Sequence, residues 1–201
     1  EPEFIDAVEV GFKSRWLQDR LSLKFAAFRY WYTDYQVFEY SNERGELPIQ
    51  KLLNSDASVL GAEIEIHVRP VPGLKLQISG GWLDSEFLNF VVSKATQNPR
   101  GQGDLQDFDY SGNPTISSPD WSVSALAEQT IELFGWGSLV PQYTVNWRSK
   151  VFLDPQALDP ISQDAYWQHN ARLAYRTPDG RFEVAAWVEN LLDKRYKIDH
   201  F

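Results

Sequence analysis

Two carboxylates, Glu63 and Glu65, stand two residues apart, a spacing that on an extended chain puts them about 7 Å apart on one face. Paired carboxylates at such a distance can divide general-acid and general-base roles, as in glycoside hydrolysis. A strand that turns one charged face to water gives the same pattern, and that is the better reading here. The histidines His67, His169 and His200 are scattered and none has a ligand-spaced partner, so a metal centre is not expected. Asp104, Asp107 and Asp109 crowd oxygen atoms into one loop, which suits calcium, but the spacing of a dedicated calcium loop is missing and a solvated acidic loop is the default. Cysteine is absent, which removes disulfides and thiolate sites. No glycine-rich phosphate loop opens a helix, and no nucleophile stands beside a base. No catalytic, cofactor-binding or metal-ligating residue is assigned, and an enzyme is not expected.

The elements that carry these residues alternate with a period of two. Leu60, Ala62, Ile64, Ile66 and Val68 interleave with Gly61, Glu63, Glu65, His67 and Arg69. A helix would smear that pattern around its circumference, whereas a strand sorts it onto two faces. After the turn signal Val71-Pro72-Gly73, the chain returns with Leu74, Leu76, Ile78, Gly80 and Trp82 against Lys75, Gln77, Ser79 and Gly81. The unit recurs from Val8 to Phe12, from Leu21 to about Phe38, from Trp121 to Glu128, from Leu139 to Val151, from Trp167 to Tyr175 and from Phe182 to Val188. The phase is indistinct beyond Ala26-Ala27, where a bulge or emergence from a bilayer is expected. The total is about eight strands in four hairpins.

The connections alternate in length. Short turns are expected near Trp16–Asp19, Val71–Gly73, Phe134–Gly137 and Thr177–Gly180, and long polar loops near Ser41–Asn54, Val91–Pro119 and Leu153–Asp164. Long loops at one end and tight turns at the other are the asymmetry of outer-membrane barrels. Strands of ten residues also exceed the soluble norm and match a tilted bilayer crossing. Tyr30, Trp31, Tyr32, Tyr35, Trp82, Phe87, Phe90, Trp16, Trp136 and Trp121 fall near strand ends, where rings favour the headgroup level.

Composition agrees. Of 201 residues, 43% are hydrophobic and 14% aromatic, enough apolar surface to order the chain. The mean hydropathy of −0.41 does not exclude a membrane protein, because a barrel strand needs only every second residue apolar. No run of about eighteen apolar residues offers a spanning helix. A net charge of −9 opposes nucleic-acid binding, which needs a basic face. The chain opens Glu1-Pro2-Glu3 and has no methionine, so a processed product or an excised piece is expected, the piece being favoured.

Several segments resemble a known family. Asp56 to Glu65 is similar to the "GxE" strand of TonB-dependent receptor barrels, Arg69 to Leu74 to the periplasmic turn that follows it, and Gly81 to Phe87 to the returning strand. Ser111-Gly112-Asn113-Pro114, shortly before Pro119-Asp120-Trp121, resembles the loop that re-enters the barrel. Val188-Glu189-Asn190-Leu191-Leu192-Asp193-Lys194-Arg195-Tyr196 resembles the "NLxDKRY" signature. The resemblance covers essentially the whole chain in order. It implies an all-β, antiparallel, up-and-down transmembrane barrel of 22 strands, of which about eight are here, in a Gram-negative outer membrane. Residues 1–201 would then be a C-terminal-side part of the barrel without its plug domain, with Phe201 a cut end, since Lys197 and Asp199 break the pattern of a terminal strand. The implied function is TonB-energised import of a scarce nutrient such as a ferric siderophore. The implied partners are outer-membrane lipid, the TonB complex through the plug, and the small-molecule ligand. The loop with Arg100, Asp107, Phe108 and Tyr110 is the expected contributor to ligand contact. Two other readings stay open on the pattern alone: a complete eight-stranded outer-membrane barrel with a structural or adhesive role, and a soluble lipocalin-type binding barrel.

Overall fold

The computed structural model describes residues 2–41, 49–97 and 103–198. Its strands are β1 (Phe4–Trp16), β2 (Leu21–Ser41), β3 (Ile49–Val68), β4 (Leu74–Asn89), β5 (Val91–Gln97), β6 (Gly103–Asp109), β7 (Trp121–Gln129), β8 (Ile131–Glu132), β9 (Ser138–Arg148), β10 (Val151–Phe152), β11 (Ser162–Gln163), β12 (Tyr166–Arg176) and β13 (Glu183–Val188). Among the described residues the only helical turn is Asp159–Ile161. The main sheet runs β1-β2-β3-β4-β7-β9-β12-β13, with β8 paired to β9. Every pairing in it is antiparallel. Eight strands in four hairpins along the main path is the arrangement expected from the alternation.

Register turns that alternation into two chemically different surfaces. One cross-strand row reads Phe12, Phe25, Ile64, Gly80, Val123, Trp147 and Trp167. The row beside it, shifted by one residue, reads Lys13, Lys24, Glu65, Ser79, Ser124, Asn146 and Gln168. Successive side chains on a strand point to opposite faces, so the first row and its neighbours two residues away build an apolar side and the second a polar one. The sheet is not closed: β1 and β13 are its edges, and neither has a second partner among the described residues.

The short turns join strands at one end. Leu17, Gln18 and Asp19 all have positive φ (55°, 57° and 64°), which lets β1 reverse into β2 within four residues. Gly137 is required twice over in the turn before β9. Its φ is +95°, and a Cβ there would stand 2.0 Å from the Arg176 carbonyl oxygen of β12.

The long connections depart from expectation. The expected Ser41–Asn54 loop is shorter, because β2 continues to Ser41 and β3 begins at Ile49. At 21 and 20 residues these strands are about twice the length of a bilayer crossing. The expected Val91–Pro119 loop contains the β5–β6 hairpin, and the Leu153–Asp164 loop contains the Asp159–Ile161 turn and β11. Polar composition suggested loops at these places, but polar residues also form strands where both faces of a pair are wetted. The indistinct phase after Ala27 resolves as continuous pairing through Tyr32, then a register shift before Tyr35 with Asp34 at φ 59°. Aromatic residues on both faces hid the alternation.

Candidate functional site: a polar concave wall and its rim

One cavity of about 1110 Å³ touches residues of β1, β2, β3, β4, β7, β9 and β12. A single space shared by seven strands of one sheet lies on its concave side. Its lining includes Glu9, Lys13, Lys24, Glu63, Glu65 and Arg148 above a floor of Ser79, Gly81, Ser122 and Ser124. The cavity also touches Phe12, Phe25, Ile64, Val123 and Trp147, but these alternate along the strands with the charged and hydroxyl-bearing set and so point to the other face; the concave face is the polar one. The convex face carries exposed apolar side chains, with Val10 70% and Phe12 52% exposed, and likewise Ile64, Ile78, Val123, Leu173 and Val184. An exposed apolar surface this continuous marks a face that a partner or a membrane covers.

The carboxylate pair singled out in the sequence sits on this concave wall. Glu65 accepts from Lys24 Nζ at 2.8 Å and is also paired with His67. Among the described residues Glu63 has no ion pair, so the two carboxylates do not share a partner. A glycosidase-like acid/base pair needs two environments that push the groups apart in protonation. Here both line an open trough, and the arrangement is that of a charged wall. Further along the same face, Lys75 Nζ donates to Glu128 at 2.7 Å, and Glu183 accepts from Arg172 and from Arg176 Nε, the latter at 2.5 Å. His169 is on the convex face, with its Nδ1 2.6 Å from the Tyr143 hydroxyl. His200 and Arg100 lie outside the described residues. Among the described residues no group of three or more histidine, aspartate or glutamate side chains is arranged to hold a metal.

The long-connection end has its own core. Val37, Ala57, Phe87, Phe90, Val92 and Tyr110 are buried together, with Tyr32, Tyr35, Leu53, Phe108 and Ile116 packed around them. This corrects the expected interfacial belt. Tyr32, Tyr35, Phe87 and Phe90 are core residues, and Tyr30 stacks on Phe28 at 4.8 Å. Trp31, Trp121, Trp16 and Trp136 are exposed, and Trp82 packs beside Trp121 at 6.4 Å. Sequence position near a strand end cannot separate these fates, because the decisive fact is the β5–β6 hairpin folding over the prolonged strands.

Below that hairpin, residues 110–118 form a shelf that runs antiparallel beside the end of β4, with a bridge between Glu86 and Pro114. Gly112 N–H donates to the Phe87 carbonyl at 2.7 Å, Phe87 N–H to the Asn113 carbonyl at 2.9 Å, and Thr115 Oγ1 to Ser85 Oγ at 2.7 Å. The loop expected to contact ligand is thus partly structural. Tyr110 is core, Lys94 Nζ lies over the Phe108 and Tyr110 rings, and Asp107 accepts from Ser93 Oγ at 2.5 Å. The side chain of Asp104 lies outside the described residues. The hydroxyl and the N–H of Ser111 both donate to Asp109 and hold its carboxyl below the ordinary aspartate range. A depressed carboxyl stabilises the fold fully above its unfolded pKa and loses that contribution as pH falls through the folded value. The Asp109–Ser111 turn is therefore expected to loosen selectively in acid. Ser111 amide exchange, corrected for intrinsic pH dependence, checks this: Asp109→Asn should show the loosened rate already at neutral pH.

A convex apolar face, a polar concave face and a shelf at the long-loop end describe a wall rather than a reaction centre. The family described as "TonB dependent receptor-like, beta-barrel" matches residues 1–191. The chain belongs to that family. Solved TonB-dependent receptors share its fold. The ferric yersiniabactin uptake receptor of Yersinia pestis superposes with a TM-score of 0.69 at 22% identity, over 98% of this chain and 26% of that one. The siderophore receptor PiuA of Acinetobacter baumannii gives 0.67 at 19% identity, over 96% and 25%. The ferripyoverdine receptor of Pseudomonas aeruginosa gives 0.60 at 18%, over 98% and 24%. The chain spans about a quarter of the length of these receptors. As in them, the TonB-dependent receptor sheet here is an antiparallel wall, in this case an open arc.

Proposed function

We propose that these residues form one arc of the barrel wall of a Gram-negative outer-membrane receptor that imports a ferric siderophore or similar iron complex with energy delivered through TonB. The observation that carries the reading is the pairing of an apolar convex face with a polar concave cavity on one open sheet. The convex face suits lipid, and seven of the main-sheet strands, β1 to β4, β7, β9 and β12, are long enough for a tilted bilayer crossing. The concave face suits a water-filled lumen occupied by a plug domain that lies outside these 201 residues and reaches TonB. The long-connection end then faces the exterior and receives the ligand. An iron chelate is favoured because the similar structures are named as ferric yersiniabactin, siderophore and ferripyoverdine receptors.

The open edges favour a larger wall over a complete eight-stranded barrel, and the polar cavity opposes a lipocalin-type module, which turns its apolar side inward. The test is the intact mass of the native polypeptide in isolated outer membranes, together with uptake of iron-loaded chelates by iron-starved cells with and without TonB. A species several-fold heavier than 23.2 kDa and TonB-dependent uptake support the reading. A 23.2 kDa species sinks it in favour of the small barrel, and recovery only in the soluble fraction points to the lipocalin-like module.

A further inference from the structure

The segment after β13 does not run on as a regular strand. Asn190 and Asp193 take positive φ, 50° and 48°, and Asn190 closes the bulge from both sides. Its Oδ1 accepts from Lys194 N–H at 2.9 Å, and its Nδ2 donates to the Lys194 carbonyl at 3.1 Å. Asn190 N–H donates to Asn170 Oδ1, and Leu191 N–H to the His169 carbonyl. The bulge delivers Tyr196 and Lys197 to the rim. Tyr196 stacks on the buried Tyr166 ring at 4.6 Å with 12° between planes, and the Arg148 guanidinium lies 5.4 Å from the Tyr166 centroid. Lys197 Nζ donates to the carbonyls of Pro160 and Ser162 at 3.2 Å each, and Lys197 N–H donates to Gln163 Oε1 at 2.6 Å.

The loop so gripped is itself tied onward. Leu153 N–H donates to the Ile161 carbonyl at 3.1 Å. Asn113 Nδ2 donates to the Pro155 carbonyl at 2.8 Å, and Ser117 N–H to the Phe152 carbonyl at 2.8 Å. The next links are those from Asn113 and Thr115 to Phe87 and Ser85 of β4. Five main-sheet strands, β4 to β13, are therefore bridged at one end by contacts outside the strand ladder.

We infer that Tyr196 and Lys197 are positioning residues: they clamp the 153–164 loop and, through it, hold the 110–118 shelf beside β4, so that the rim moves as one body. A cation donating to two carbonyls is a strong, directional tie, and a series of such ties transmits its loss only where each link depends on the one before. The inference rests on geometry and stands whichever ligand the receptor takes.

The test is amide exchange on the full receptor in detergent or nanodiscs. Lys197→Met keeps the stem and removes the donor, and Lys197→Arg restores donors to the same carbonyls. Lys197→Met should raise exchange on the order of tenfold in both 153–164 and 110–118, while β7, β9 and β12 keep their protection and Lys197→Arg stays near the parent. Asn113→Ala cuts a later link and should loosen 110–118 while leaving 158–164 protected. A rise confined to 158–164 in Lys197→Met, no rise at all, or a rise spread over the membrane strands would each overturn the inference. The first two make the clamp local or idle, and the last makes Lys197 a general stability residue.

Discussion

Phe87→Ala will cost about 3–5 kcal/mol, the range for emptying a fully buried aromatic site. Phe87 is 0% exposed and sits at the centre of the core at the long-loop end, with its ring 4.9 Å from Phe90 and 6.3 Å from Tyr35. Its backbone bonds to Gly112 and Asn113 survive the substitution, so the loss falls on packing and not on the ladder. The consequence should be regional: the β5–β6 hairpin and residues 110–118 become accessible to protease while the long strands of the main sheet stay folded. Limited proteolysis of the full receptor, with fragments mapped by mass, separates that outcome from global unfolding. Phe87→Leu, which keeps most of the volume, should show much weaker cleavage.

Ile64→Arg places a cation at the middle of the convex apolar face, and about 2–4 kcal/mol of insertion free energy is expected to be lost at a bilayer midplane. Ile64 is 40% exposed on that face, flanked in register by Phe25 and Gly80, with no acid in its own row of Phe12, Phe25, Gly80 and Val123. Ser79→Asn, one residue over on the concave face, should leave insertion unchanged. The yield of folded, heat-modifiable receptor in outer membranes measures both. Equal yields for Ile64→Arg and the parent would remove the lipid from the convex side and with it the orientation of the wall.

These effects rest on features of unequal legibility. The strands from Leu60 to Val68 and from Leu74 to Trp82 could be read directly, because a half-buried strand leaves a period of two that no helix imitates. The turn at Gly137 was equally visible from its glycines. The core at the long-loop end was not. Phe87 and Phe90 are three residues apart, on a strand and just beyond its end, and only the folding back of a hairpin from Val91 onward brings Tyr110 against them. Likewise, Lys197 looked like a residue that spoils a strand pattern, whereas its ammonium group finds backbone carbonyls contributed by Pro160 and Ser162. Carbonyl partners carry no side-chain signature, so no spacing of residue types could have announced them. Glu63 and Glu65 illustrate the opposite limit. Their shared face was legible, but that Lys24 attends only Glu65 depends on the register between β2 and β3.

The main sheet also dictates how the wall is assembled. Except where β5 and β6 intervene between β4 and β7, β8 before β9, and β10 and β11 between β9 and β12, each main-sheet strand pairs with the next along the chain. Loop closure between neighbours costs little entropy, and topologies rich in local contacts fold quickly. Hairpins of this kind can be added one after another to a growing edge. The danger lies in miscounting: because side chains alternate, a slip of one residue between β12 and β13 would turn Val184 and Ala186 to the concave side and Glu183 to the convex one. The ion pairs of Arg172 and Arg176 with Glu183, close to the Thr177–Gly180 turn, would be lost in that slip, so they favour the correct count at this edge of the wall.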